Sequence, residues 1–217
     1  MSNLQSIIIN FIDKASSSCY NELNHKNLGD ELLNTIELAT LVATNAHKGQ
    51  TRKGTNIAYI LHPMEAGTLA HSMLAQVGRY DEDVIVACLL HDVLEDTEMT
   101  EEELAQDFSE RTIELVKVQS ENKANSWQQR KQATIDLLSI TDDLDVKLVH
   151  LADKLSNMRS IARDYNAIGD ELWSRFNENN IDNQKWYYKS IGENMSGLEH
   201  TKEHQEYKRL VEEVFGE

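Results

Sequence analysis

Apolar residues recur at helical spacing along most of the chain. Leu32, Leu33, Ile36, Ala39 and Val42 fall three or four apart, which predicts an amphipathic helix over 31–47. A polar, glycine-containing loop follows from about 48 to 56. Pro63 then reads as the first residue of a helix reaching about Val77, because its fixed φ suits that position and its missing N–H is not needed there. Residues 83–94 are almost continuously apolar, a pattern that either a buried strand or a buried helix produces. Ala87, Leu89 and Leu90 favour the helix, and no nearby segment reads as a partner strand. Thr100 and Glu103 have the spacing of a capping box, which places a helix start there. Further amphipathic stretches lie at about 109–118, 126–139, 143–160, 184–195 and 200–214. The segment 164–183, rich in Asn, Asp and Glu, reads as a long loop or a poorly ordered helix pair. Ile7-Ile8-Ile9 opens a short amphipathic helix within an N-terminal helical extension over 1–30. No internal repeat or linker divides the rest. The expected fold is all-α, one helical bundle over 31–217 with core motifs at 46–160 and C-terminal helices at 184–214.

Composition agrees with that pattern. The 217 residues contain one proline and nine glycines, few enough breakers for long helices. With 40% hydrophobic and 27% charged residues, the chain has an ordinary globular composition. A formal net charge of −16 argues against binding a nucleic-acid polymer, since such a protein must replace counterions along the phosphates. An anionic small molecule stays open, given a local source of positive charge. Cys19 and Cys88 cannot make a disulfide framework, and Cys88 lies in an apolar run as a small hydrophobe. The isoleucine run is too short for a signal peptide or a membrane span, so a cytoplasmic location without a membrane partner is expected. Oligomeric state is left open.

The candidate chemistry begins at His91-Asp92, at the end of the most apolar stretch. A carboxylate there is costly unless it is paired or bound to a metal. A core histidine bonded to its neighbour is one account of the pair. The other adds His62, ahead of a helix, and Asp153, at the end of a second apolar run. Two imidazoles and two carboxylates suit a divalent transition metal. Glu95 and Asp96 follow His91 and Asp92 by four, one helical turn on, and could orient or deprotonate a water, or else form an exposed acidic helix end. Lys48, Arg52 and Lys53 cluster before His62; Lys123, Arg130 and Lys131 form a second group, and Lys154 adjoins Asp153. These could grip a polyphosphate or simply be solvated surface charges. Asn157 shares a helical face with Asp153. One aromatic among the tryptophans and the Tyr187-Tyr188 pair could line a substrate pocket. No glycine-rich phosphate loop, Cys-x-x-Cys pair or serine nucleophile elbow is present.

Four segments resemble, in order, the HD-domain hydrolases of the RelA/SpoT type, especially the small stand-alone alarmone hydrolases of the metazoan SpoT-homologue kind. They are Ala46 to Arg52, Tyr59-Ile60-Leu61-His62-Pro63, Leu89 to Thr97 around His91-Asp92, and Val146 to Arg159 around Asp153. The resemblance implies an all-α, single HD-domain bundle holding one Mn²⁺ through His62, His91, Asp92 and Asp153. It implies that Glu95 and Asp96 position or activate the attacking water, and that Arg52, Lys53, Lys48, Lys123, Lys154, Asn157 and Tyr187 contact a nucleotide substrate. The implied reaction removes the 3′-pyrophosphate of (p)ppGpp, giving GDP or GTP. The chain departs from the family at Ala58, where a proline is usual, and at 115–123, which helps to shape the nucleotide pocket. An adenine alarmone or NADPH therefore stands as an alternative substrate, and a non-catalytic alarmone-binding module as a further alternative.

Overall fold

A computed structural model of the chain describes residues 33–216. The expected N-terminal helix over 1–30 lies outside the described residues. Within them the architecture is all-α, with one isolated antiparallel bridge between Thr51 and Ala58. The helices are α1 (Thr35–Ala46), α2 (Leu61–Gln76), α3 (Glu82–Leu90), α4 (Val93–Asp96), α5 (Glu101–Leu104), α6 (Glu110–Gln119), α7 (Trp127–Ile140), α8 (Leu144–Ile168), α9 (Ile181–Glu193) and α10 (Lys202–Phe215). A 3₁₀ segment spans Gly169–Arg175.

Local chemistry sets most of these boundaries. Asn34, Thr100 and Ser126 each close a capping box with a Glu or Gln three residues on, satisfying backbone donors that a helix start leaves orphaned. Pro63 is the third residue of α2 rather than the first, a position still inside the first turn, where no N–H is required. The stretch expected as one helix over 83–94 breaks at His91-Asp92. The chain makes a turn at these two residues, with Asp92 at φ −98° and ψ −4°, and His91 Nδ1 donates to the Cys88 carbonyl at 2.7 Å. The break aims both polar side chains away from the apolar packing that buries all of Val84 to Leu90.

The segment 164–183 resolves into neither of its expected forms. α8 runs on to Ile168, Gly169 turns the chain at φ +60°, and the 3₁₀ turn tucks Leu172 and Trp173 into the core. Trp173 stacks on Phe215 at 5.4 Å between centroids, tying this segment to α10. Asn180 then caps α9.

α8 is the axis of the molecule. It packs against α2, α3, α6, α9, α10 and the 3₁₀ turn. Its first half is buried on every face from Val146 to Asp153. Such a helix places Asp153 at the centre of the bundle, facing α2 and the α3–α4 break.

Candidate metal centre

Four side chains from three elements converge. His62 comes from the first turn of α2, His91 and Asp92 from the α3–α4 break, and Asp153 from the middle of α8. His62 Nε2 lies 3.1 Å from His91 Nε2, 3.2 Å from Asp153 Oδ1 and 3.6 Å from Asp92 Oδ2. His91 Nε2 lies 3.0 Å from Asp92 Oδ2 and 3.7 Å from Asp153 Oδ1. Ligands held about 2.1 Å from one ion stand about 3.0 Å apart at right angles and about 3.4 Å apart in a tetrahedron. The observed separations match that spacing. His62, His91 and Asp92 form the tightest trio, and Asp153 approaches from the α8 side.

The hydrogen bonds around the histidines test whether a cation fits. A carbonyl can only accept, so His91 donates from Nδ1 to Cys88 and turns Nε2 toward the cluster. His62 Nδ1 meets the Ser156 hydroxyl at 2.8 Å, leaving its Nε2 on the same side. Two imidazole nitrogens and two carboxylates thus face one point among apolar helices, where positive charge is required. Without an ion, a proton serves this need. Burial lowers the His91 pKa, but Asp92 and Asp153 outweigh it and hold the imidazole well above its usual range. Burial opposes ionisation of both carboxylates too. His91 for Asp92, and Lys154 for Asp153, more than reverse that effect and keep them well below the carboxylate range. The residue set fits a divalent cation.

The centre lies on the wall of a cavity of about 700 Å³. Glu95 and Asp96 line it beside the cluster. Glu95 Oε2 accepts the Glu121 N–H at 3.2 Å, and burial, ahead of the nearby carboxylates, raises the Glu95 pKa. Arg52 donates to Asn157 Oδ1 at 2.8 Å, and Asn157 donates to Asp153 Oδ1 at 2.6 Å, linking the 48–58 loop to α8. Lys53 sits over the Phe176 ring at 5.5 Å. Lys123 bonds the Glu95 carbonyl, and Lys154 bonds Asp153. Tyr187 is buried in the wall beneath Lys131, with its hydroxyl unpaired. Lys48 is the exception among the expected contacts. It lies on the exposed turn after α1, outside the residues that line the cavity, because the chain reverses at Gly49 before Arg52 enters the wall.

Several residues at the site escaped the sequence reading. Tyr59 donates its hydroxyl to Asp92 Oδ2; burial, reinforced by Asp92, pushes its pKa far up, so it stays a neutral donor. Glu121 accepts from Arg130 Nη1 at 2.7 Å and Lys131 Nζ at 2.6 Å, already neutralising part of the cationic wall. Ser156 and Glu65 stand behind His62. Tyr59 precedes His62 by three residues, a spacing that could have flagged it. Nothing in the sequence pairs Ser156 with Glu65.

An HD-domain profile matches residues 39–176, and the chain belongs to that family. HD domains bind divalent metal, and the site described above is where this chain could do so. Among curated proteins, the chain is 35% identical over 126 residues to a guanosine-3′,5′-bis(diphosphate) 3′-pyrophosphohydrolase of Haemophilus influenzae. That match covers 56% of this chain and 18% of the relative, so the chain spans less than a fifth of that protein. Among solved structures, lmo0812 from Listeria monocytogenes EGD-e is 37% identical, with a TM-score of 0.62 over 72% of this chain and 99% of that one. A metazoan SpoT ortholog that hydrolyses ppGpp shares the fold at 22% identity, with a TM-score of 0.68 over 86% of this chain and 99% of that one. No helix among the described residues is long and apolar enough to cross a membrane.

Proposed function

We propose that this chain is an Mn²⁺-dependent hydrolase that removes the 3′-pyrophosphate of (p)ppGpp. The observation that carries the reading is the convergence of His62, His91, Asp92 and Asp153 on the wall of a cavity lined by both carboxylates and cations. The naming of a curated relative as a 3′-pyrophosphohydrolase supports the same chemistry.

A cation among these four groups would polarise a phosphoryl oxygen and lower the pKa of a water. Glu95, with its raised pKa, takes the proton of the attacking water, and Asp96 beside it orients that water. The water oxygen bonds to the phosphorus next to the ribose, the bond to the 3′-oxygen breaks, and pyrophosphate departs. The 3′-oxygen takes up a proton to become the hydroxyl of GDP or GTP. Arg52 and Asn157 hold the nucleoside, with Lys53 on the same wall. Lys123 and Lys154 face the phosphates, with Arg130 and Lys131 beyond them, while the Tyr187 ring packs in the wall beneath Lys131 with its hydroxyl buried. The substrate is a small nucleotide met in the cytoplasm.

Purified protein with Mn²⁺ should release pyrophosphate from ppGpp, and Asp92→Ala should lower the rate at least a hundredfold. A panel of ppGpp, pApp and NADPH ranks the base. Faster turnover of pApp or NADPH would move the reading to an adenine nucleotide. Intact ppGpp with wild type and Asp92→Ala alike would sink it.

A further inference from the structure

His62 presents Nε2 to the cluster and hides Nδ1 behind it. Nδ1 lies 2.8 Å from Ser156 Oγ, and Ser156 Oγ lies 2.6 Å from Glu65 Oε2. His62 and Glu65 are three apart on α2, and Ser156 and Arg159 are three apart on α8, so two helical faces meet as a ladder. Arg159 Nη1 donates to Glu65 Oε1 at 2.8 Å. The same guanidinium donates from Nε and Nη2 to Glu206 of α10, at 2.8 and 2.7 Å.

The chemistry of these groups gives the chain of bonds one direction. An ionised carboxylate only accepts, so the serine proton points at Glu65. The serine oxygen then has only lone pairs for His62, and His62 must donate from Nδ1. That tautomer leaves a lone pair on Nε2, the atom facing His91, Asp92 and Asp153. The opposite tautomer would aim an N–H at the same point and exclude a cation. Groups behind a metal-bound histidine commonly set its tautomer and basicity.

We propose that Glu65 and Ser156 are positioning residues that lock His62 in its cation-accepting tautomer, with Arg159 and Glu206 holding Glu65 in place. This rests on the metal reading given above. The arrangement extends from a buried ligand to a half-exposed ion pair on α10, so the C-terminal helix bears directly on the ligand set. Glu65→Gln has a distinctive consequence. Arg159 would keep the amide oxygen, which turns the NH₂ toward Ser156. The amide would then donate to the serine, the serine would donate to His62 Nδ1, and the imidazole would flip to the Nε2–H form.

The experiment measures Mn²⁺ binding, by the paramagnetic signal of free Mn²⁺, and the ¹⁵N shifts of His62 in metal-free protein, assigned by comparison with His62→Gln. Ser156→Ala and Glu65→Gln should weaken Mn²⁺ about 10–100-fold, the range typical for such partners. Ser156→Thr should stay within threefold of the parent. In the parent, Nδ1 should carry the proton; in Glu65→Gln, Nε2 should carry it. Melting of the metal-free proteins identifies any variant that has lost its fold, and Glu65 is exposed enough at 35% for its substitution to leave the core intact. Binding within twofold of the parent for both variants, or an unchanged His62 tautomer in Glu65→Gln, overturns the relay. Failure of the metal reading looks different: the unsubstituted protein then binds no Mn²⁺ at all.

Discussion

Tyr59 donates its hydroxyl to Asp92 Oδ2, the same oxygen that His91 Nε2 approaches at 3.0 Å. Removing the hydroxyl takes one charge-assisted donor from that oxygen and leaves His91 as its partner, a loss of about 1.5–3 kcal/mol. Tyr59→Phe should weaken Mn²⁺ about tenfold while preserving the helical circular dichroism signal. Calorimetric titration showing unchanged affinity would reduce Tyr59 to a packing residue. Glu95 carries a second expectation, on pH. Its pKa is raised by burial above the ordinary carboxylate value. A base acts in its ionised form, so kcat/KM should rise with pH along a limb displaced above the usual Glu range. Glu95→Gln should lose about 100-fold in rate and lose that limb; Asp96→Asn should keep it. A limb persisting in the residual activity of Glu95→Gln would assign it elsewhere. The linkage has the opposite sense for stability. The native state holds the Glu95 proton more tightly than the unfolded chain, so this contribution is full below the unfolded pKa and is lost as pH rises through the folded one. Glu95→Gln should therefore be neutral or stabilising at pH 7, as judged by urea midpoints. At this scale His91, Asp92 and Asp153 stood out in the sequence because polar groups ending apolar runs demand partners, whereas His62 preceded a helix and the full set of four was implied by the ordered family motifs. Ser156 and Glu65 did not stand out, since ordinary polar residues gain meaning only when two helices bring them together.

At the scale of elements, the loop between α1 and α2 carries Arg52 and Lys53 into the cavity wall. Arg52 N–H bonds the Ile57 carbonyl at 2.9 Å, and Tyr59 N–H bonds the Gln50 carbonyl at 3.0 Å. Gly54 lies at the tip with φ +68°, and a Cβ there would stand 2.4 Å from Arg175 Cδ. Gly54→Ala thus meets two costs. The left-handed backbone disfavours a side chain by about 1 kcal/mol. Arg175 must also swing away, loosening its 3.0 Å pair with Asp164, which lines the cavity. The expected result is a small fall in melting temperature and a severalfold rise in KM for ppGpp with little change in kcat. A fall in kcat alone would mean the loop serves chemistry rather than binding. Helix positions were readable from periodicity and caps, and the observed bounds lie within a few residues of the expected ones for most elements. Two failures share a cause. The continuous apolar run over 83–94 gave no sign of the break at His91-Asp92, and the polar run over 164–183 hid Leu172 and Trp173. In each, specific contacts outweigh the average character of the segment: the local bond of His91 to the Cys88 carbonyl in the first and the stacking of Trp173 on Phe215 in the second.

For the whole molecule, the central cluster joins elements far apart in sequence. His62, the His91-Asp92 pair and Asp153 come from three separate elements, and these meet in the middle of the bundle. An ion bound there ties α2, the α3–α4 break and α8 to one point in the native state only. The unfolded chain scatters the same ligands and binds it weakly. Stability should therefore follow mass action, gaining about 2.7 kcal/mol when free ion exceeds its dissociation constant a hundredfold. In metal-free protein the His91 imidazole, which Asp92 and Asp153 hold well above its usual range, and the Lys154–Asp153 pair offset part of the buried negative charge. The melting temperature should rise with the logarithm of Mn²⁺ concentration, return to the metal-free value with a chelator, and stay flat for Asp153→Ala. Asp153→Ala removes a buried ligand and also strands Lys154, so its metal-free melting point should lie below that of the parent. The diagnostic quantity is the slope against ion concentration, not the starting value. Equal slopes in the two proteins would place the stabilising ion elsewhere on this acidic surface, whose net charge of −16 offers many weak cation contacts. Raising ionic strength separates the cases. Weak surface association fades as screening grows, whereas an ion held among buried ligands keeps its effect.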